Sequence, residues 1–282
     1  MASVSSQIAS QASHAGRHAG PFVEKLARAG YAAKGVLYVV VGLLAGASAF
    51  GIGGRTTGSH GALQSLIEQP FGKVLLGAVA FGLIGYSIFQ FVRAIKDPEN
   101  EGDDTKAWLK RAGFFLSGVI HASLFLAAMR LLFGGSSGSG GDDAGAQSWT
   151  ATIMEYPLGR WLIAAIGIGI IVYGVFQLVQ AWKAKLDDQM VLDEMSQSTH
   201  SVIRKVCRFG MGSRGVVFGI IGALLIVAAW QYDSTEAKGL GGALATLERQ
   251  PFGPWLVAAV ALGLIAYGLY QFILSRYRRI AT

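Results

Sequence analysis

Six long apolar runs, at about 33–52, 73–92, 112–133, 161–182, 212–230 and 255–275, alternate with polar or glycine-rich stretches. Each comes near the roughly 20 residues that a helix needs to cross about 30 Å of hydrocarbon. In lipid a segment must satisfy its backbone within a helix or a closed barrel. None of the runs shows the alternation of a barrel strand, so the pattern predicts six transmembrane helices. Between them, GALQSLIEQ (61–69) and GGALATLERQ (241–250) place Ala62, Leu63, Leu66, Ile67 and Ala243, Leu244, Leu247 at helical spacing. These predict short helices lying on the outer bilayer surface, with Pro70 and Pro251 starting the next descending helix. The Gly- and Ser-rich stretches 51–61 and 134–147 read as flexible linkers, and neither ends in the Gly-Lys-Ser/Thr of a phosphate-binding loop.

The polar positions inside these runs repeat. RAGYAAKGVLY (28–38), RAGFFLSGVIH (111–121) and RFGMGSRGVVF (208–218) share Arg-x-Gly-x4-Gly-Val, and EQPFG (68–72), EYPLG (155–159) and RQPFG (249–253) follow farther on. Sixteen residues after each proline comes Tyr86, Tyr173 or Tyr267, and four later Gln90, Gln177 or Gln271. The chain therefore reads as one two-helix hairpin written three times, at 26–98, 109–185 and 206–279, after a flexible cytoplasmic arm at 1–25. A unit of two spans returns to its starting side, so the copies are parallel and predict a pseudo-threefold arrangement.

Residues four apart share a helix face. The tyrosines and glutamines thus end the stripes Ala78-Gly82-Tyr86-Gln90, Ala165-Gly169-Tyr173-Gln177 and Ala259-Gly263-Tyr267-Gln271. Small residues followed by polar ones suit helix association in lipid, with Gly35, Gly118 and Gly215 on the ascending helices as candidate partners. Two other readings stay open: an interfacial aromatic belt, and a polar lining of the central axis.

Charge fixes the expected orientation. Of the 24 Lys and Arg, eighteen fall in the N-terminal stretch through Lys34, the second and fourth connections and the tail. Six (Arg55, Lys73, Arg130, Arg160, Lys238, Arg249) fall on the other side. The positive-inside rule then makes both termini cytoplasmic. The net charge of +7 is explained by topology and by contact with anionic headgroups, which leaves no basic surface for nucleic acid.

The repeated Arg-x-Gly-x4-Gly-Val and Pro-Phe-Gly units resemble a bacterial family of six-helix membrane proteins known as a domain of unknown function in three copies. The likeness spans about 26–276 and implies this fold and a bacterial cytoplasmic (inner) membrane, with no activity attached. The middle copy departs from the pattern, with Ser117 where the others have Lys34 and Arg214, and with His121 in place of Tyr38 and Phe218.

His121 is the candidate titrating group within a span, weighed against a neutral ring bonded in the core. His14 and His18 have ligand-like spacing but lie in the arm, and no convergent metal set, nucleophile or carboxylate pair stands out. The lone Cys207 allows no intrachain disulfide. Val191, Met195 and Val202 suggest a short surface helix. The reading is an all-α, non-enzymatic multi-pass membrane protein without metal or cofactor, acting through helix packing and contact with lipid, a membrane-protein partner or further copies of itself. The alternative is a small-solute or ion transporter using the pseudo-threefold axis, proton-coupled through His121.

Overall fold

A computed structural model describes residues 2–54, 56–97, 104–135, 141–183 and 197–278. Among them the helices are α1 (Ala2–Ala49), α2 (Ser59–Ile67), α3 (Gly72–Lys96), α4 (Thr105–Leu132), α5 (Gly141–Met154), α6 (Gly159–Lys183), α7 (Gln197–Gln231), α8 (Leu240–Glu248) and α9 (Gly253–Tyr277). Six stretches are long and apolar enough to cross a membrane: Pro21–Ala49, Gly72–Lys96, Ala107–Leu132, Gly159–Lys183, His200–Gln231 and Gly253–Tyr277. Residues 2–20, expected as a flexible arm, are helical backbone continuous with α1; they are rich in Ala, and no proline interrupts them before Pro21. Val191 and Met195 lie outside the described residues, as does most of the acidic run 97–104.

Each descending helix starts by the same device. Phe71, Leu158 and Phe252 adopt left-handed backbone (φ 61°, 68° and 62°) and stand exposed. The glycine that follows presses against the end of the preceding short helix; a Cβ on Gly72, Gly159 or Gly253 would collide with the carbonyls of Ile67, Ile153 or Glu248. Pro70 and Pro251 thus sit in the turn rather than at the first helical position, while Pro254 occupies the start of α9. A left-handed phenylalanine costs of the order of 1–3 kcal/mol. Trp161 and Trp255 are exposed close by, so the start of each descending helix presents large apolar side chains to the outside.

The short helices pack their apolar faces against the bundle. Ala62, Leu63, Ala243 and Leu244 are buried, α5 touches both α2 and α8, and the start of α8 abuts Thr57 and Gly58. Together they cover this end of the bundle, the loop end. Helix α5 is a correction: the stretch 134–147, expected as a linker, is already helical from Gly141. Its Asp143 carboxylate accepts from the backbone N–H groups of Gly239 (2.8 Å) and Gly242 (3.1 Å), capping α8 from a neighbouring helix. Tertiary contact thereby fixes a segment whose glycines read as a linker.

The spans form a ring in the order α4, α3, α1, α9, α7, α6. Every ascending helix packs on the descending helix of the previous copy: α4 on α3, α7 on α6 and α1 on α9. Glycines make two of these seams. A Cβ on Gly35 would lie 3.0 Å from the Gly268 carbonyl, and one on Gly215 or Gly222 2.8 or 2.6 Å from those of Gly174 or Gly167. In the third seam the Ser87 hydroxyl donates to the Gly118 carbonyl at 2.8 Å. At the opposite, basic end, Arg28 donates to the carbonyls of Ser275 and Arg276, and Arg111 to those of Ala94 and Ile95. In these two copies the motif arginine thus caps the helix on which its own helix packs.

The ring does not close. Hairpins α1–α3 and α7–α9 are packed, but α4 and α6 make no extended contact. A Cβ on Gly82 would stand 2.5 Å from that of Ala33, and Gly263 is pressed against Ser213, whereas the matching Gly169 has nothing within 4 Å. Gly30 and Gly210 meet the backbones of Tyr86 and Tyr267, while Gly113 again faces open space. Residues buried in the outer copies, such as Val79, Phe89, Val260 and Tyr270, correspond to exposed Ile166 and Phe176 in the middle one. The pseudo-threefold plan therefore holds in the seams between copies and fails inside the second hairpin.

Candidate functional site

The ring brings a polar cluster to its centre. Lys34 on α1, His121 on α4, Arg214 on α7 and the tyrosines Tyr86, Tyr173 and Tyr267 each lie within two residues of the midpoint of their own span, roughly 3 Å along a helix. The Lys34 ammonium donates to the Tyr86 hydroxyl at 3.0 Å and sits 4.4 Å from the centre of its ring. Arg214 donates to the Tyr267 hydroxyl at 2.7 Å and the Gln177 carbonyl oxygen at 3.0 Å, and its guanidinium lies over Tyr267 and Phe218. The Gln271 amide donates to the Tyr267 hydroxyl at 3.0 Å, and Tyr38 meets the Tyr267 ring edge-on.

The candidates named from the sequence separate into groups. Gln177, Gln271, Tyr86 and Tyr267 are buried in this cluster, and Tyr173 borders it at 45% exposed. Gln90 is buried nearer the basic end and accepts from Arg93 at 3.2 Å. Gly82 and Gly263 face their own hairpins, Gly169 faces open space, and the alanines expected to lead the stripes, Ala78, Ala165 and Ala259, are all exposed. Gly35, Gly118 and Gly215 do not meet those stripes; they lie in the seams between copies. The stripes' true partners are Ala29 and Ala33 on α1 and Ser213 on α7. His121 is half-buried, with Nδ1 2.7 Å from the Ser117 carbonyl and its ring 4.5 Å from that of Tyr86. Among the described residues no group of His, Cys, Asp or Glu is placed to hold a metal ion.

Lys34 and Arg214 are the cluster residues that sequence reasoning misplaced. Counted with the cytoplasmic charges, they lie near the middle of their helical stretches, and Lys34 is only 6% exposed. The signal was present, because both occupy the variable part of Arg-x-Gly-x4-Gly-Val, six residues past the motif arginine and at the start of the apolar run. The six spans contain a single carboxylate, Glu24, and Arg28 holds it at 2.7 Å. The central cations therefore rest on hydroxyls, amides and aromatic faces, with no counter-charge among the described residues.

These features define an all-helical multi-pass membrane protein made of three tandem hairpins around a cationic centre. The chain belongs to the family described as Domain of Unknown Function (DUF1206), which matches at residues 29–97, 112–184 and 209–278. It is also similar to a protein of Bacillus subtilis (strain 168) described as "Uncharacterized protein YxxB", 34% identical over 258 residues that cover 92% of each chain. No solved structure matches.

Proposed function

We propose that this protein is a non-enzymatic membrane protein that receives an amphipathic lipid molecule from the bilayer into the unclosed second hairpin. The single observation carrying the reading is the missing contact between α4 and α6 where the polar cluster comes nearest to the outside. The walls are apolar, with Leu116, Ile120, Ile166 and Phe176 exposed, and Tyr173 lies between them. An apolar tail suits such walls, and a polar group suits the floor. A second copy of the chain is a poor occupant, because a twofold contact would set one cationic centre against the other. The termini and the basic end face the cytoplasm in this reading, by the positive-inside rule.

Transport straight along the axis is less well supported. The loop end is covered by α2, α5 and α8, and toward the basic end Tyr31, Phe89, Cys207 and Tyr270 pack together. Native mass spectrometry of the full chain in neutral detergent tests the lateral reading. Retained lipid is expected on the wild type and on Leu126→Trp, and is expected to be lost from Leu116→Trp/Gly169→Phe, which fills the opening. Equal retention by the filled variant would refute it.

A further inference from the structure

We infer that the cationic centre is a binding site for an oxyanion, a carboxylate or phosphate, carried on the apolar tail of the guest. The inference rests on the lateral opening proposed above and specifies the guest's head.

Three observations converge on an anion. The Arg214 guanidinium lies 5.7 Å from the centre of the Tyr38 ring, one helical turn along α1 from Lys34, so two cations share one region of low dielectric. A buried charge without a partner is strongly disfavoured, and the only carboxylate of the six spans is already paired with Arg28. Donors are also left over. The Arg214 Nε–H and the Gln177 amide nitrogen are buried and have no hydrogen-bond partner, although Gln177 is only 4% exposed. The orientation of Gln177 is set by its neighbour: its oxygen accepts from Arg214, so the unused group is the N–H₂. The Lys34 ammonium has three protons and makes one hydrogen bond, to Tyr86.

A planar guanidinium N–H, an amide N–H and an ammonium match a group with several acceptor oxygens better than a single spherical ion. The route selects a tailed guest over a free ion, since both ends of the bundle are packed and the remaining approach runs between apolar walls. Arg214 and Gln177 would grip the head, Lys34 would balance its charge, and the tail would lie along Leu116 and Ile166.

The test uses the full chain in dodecyl maltoside, with thermal unfolding as readout and dodecanoate, dodecyl phosphate, dodecanol and inorganic phosphate as probes. Dodecanoate or dodecyl phosphate is expected to raise the wild-type midpoint in a saturable way. Gln177→Glu places an internal carboxylate beside Arg214, so it is expected to fold as well as the wild type and to need at least tenfold more probe. Lys34→Met is expected to weaken binding similarly. Dodecanol matching the acids, or undiminished binding by Gln177→Glu, would overturn the anion site and leave the lateral opening standing. Inorganic phosphate matching dodecyl phosphate would overturn the tailed guest and the bilayer route with it. No response to any probe would overturn the site.

Discussion

Replacing Gly82 with alanine measures how tightly the first hairpin is closed, and the same change at Gly169 measures whether the second is closed at all. The new Cβ at position 82 would stand 2.5 Å from the Cβ of Ala33 and 2.7 Å from the carbonyl oxygen of Ala29, against an optimum of about 3.5–4.0 Å between carbon atoms. A backbone oxygen cannot rotate aside, so α1 and α3 must part by about 1 Å. Such a gap forfeits a quarter to a half of each atom pair's attraction of about 0.1–0.2 kcal/mol. Over roughly 40–60 pairs, as many as one buried leucine makes, this amounts to about 1–6 kcal/mol, spanning the roughly 1–3 kcal/mol typical of overpacked cores. At Gly169 nothing lies within 4 Å, and alanine's better helix propensity, up to about 1 kcal/mol over glycine in water, makes the change neutral or stabilising. Gly263→Ala is expected to cost at least as much as Gly82→Ala, since its new Cβ would overlap the Ser213 Cβ, which no side-chain rotation moves. Reversible unfolding in mixed micelles of dodecyl maltoside and dodecyl sulfate, followed by circular dichroism, gives the three differences. If Gly169→Ala lost as much stability as Gly82→Ala, α4 and α6 would be packed in solution and the open hairpin would be wrong.

Asp143→Ala removes the carboxylate that caps α8 from α5, with an expected loss of about 0.5–2 kcal/mol and faster hydrogen exchange at the Gly239 and Gly242 amides; unchanged exchange would count against the cap. Arg111→Ala uncaps the end of α3 and is expected to cost about 1 kcal/mol and to speed exchange over residues 94–97, whereas Arg111→Lys should restore part of the protection. The exposed Asp233, beyond the end of α7, accepts from the N–H and hydroxyl of Thr235, which hold its carboxyl below the usual range. Its contribution to stability is complete above the unfolded carboxylate value, near 4, and is lost as pH falls through the lower folded value. Thr235→Val should move the Asp233 titration, read by NMR, back up toward the ordinary value.

The six spans, the three copies and the parallel plan were legible along the chain, because hydrophobic length and internal repetition are local properties that a bilayer enforces one segment at a time. Tyr86, Tyr173 and Tyr267 could likewise be found by their spacing from Pro-x-Gly. Which face of each helix meets which neighbour was not legible. Gly35 and Gly215 look like partners for the tyrosine stripes and serve the seams with the preceding copy, because successive helix positions differ by only about 100° and small residues occupy more than one face. Lys34 and Arg214 look like positive-inside charges when counted by loop; packing with α3, α6 and α9 is what places them beside Tyr86, Gln177 and Tyr267. The opening between α4 and α6 was also beyond reach, since Gly113 and Gly169 are written just as their closed counterparts are. A glycine permits close approach without compelling it. Whether two helices meet there depends on the balance of every contact around the ring, and that balance exists only in the assembled structure.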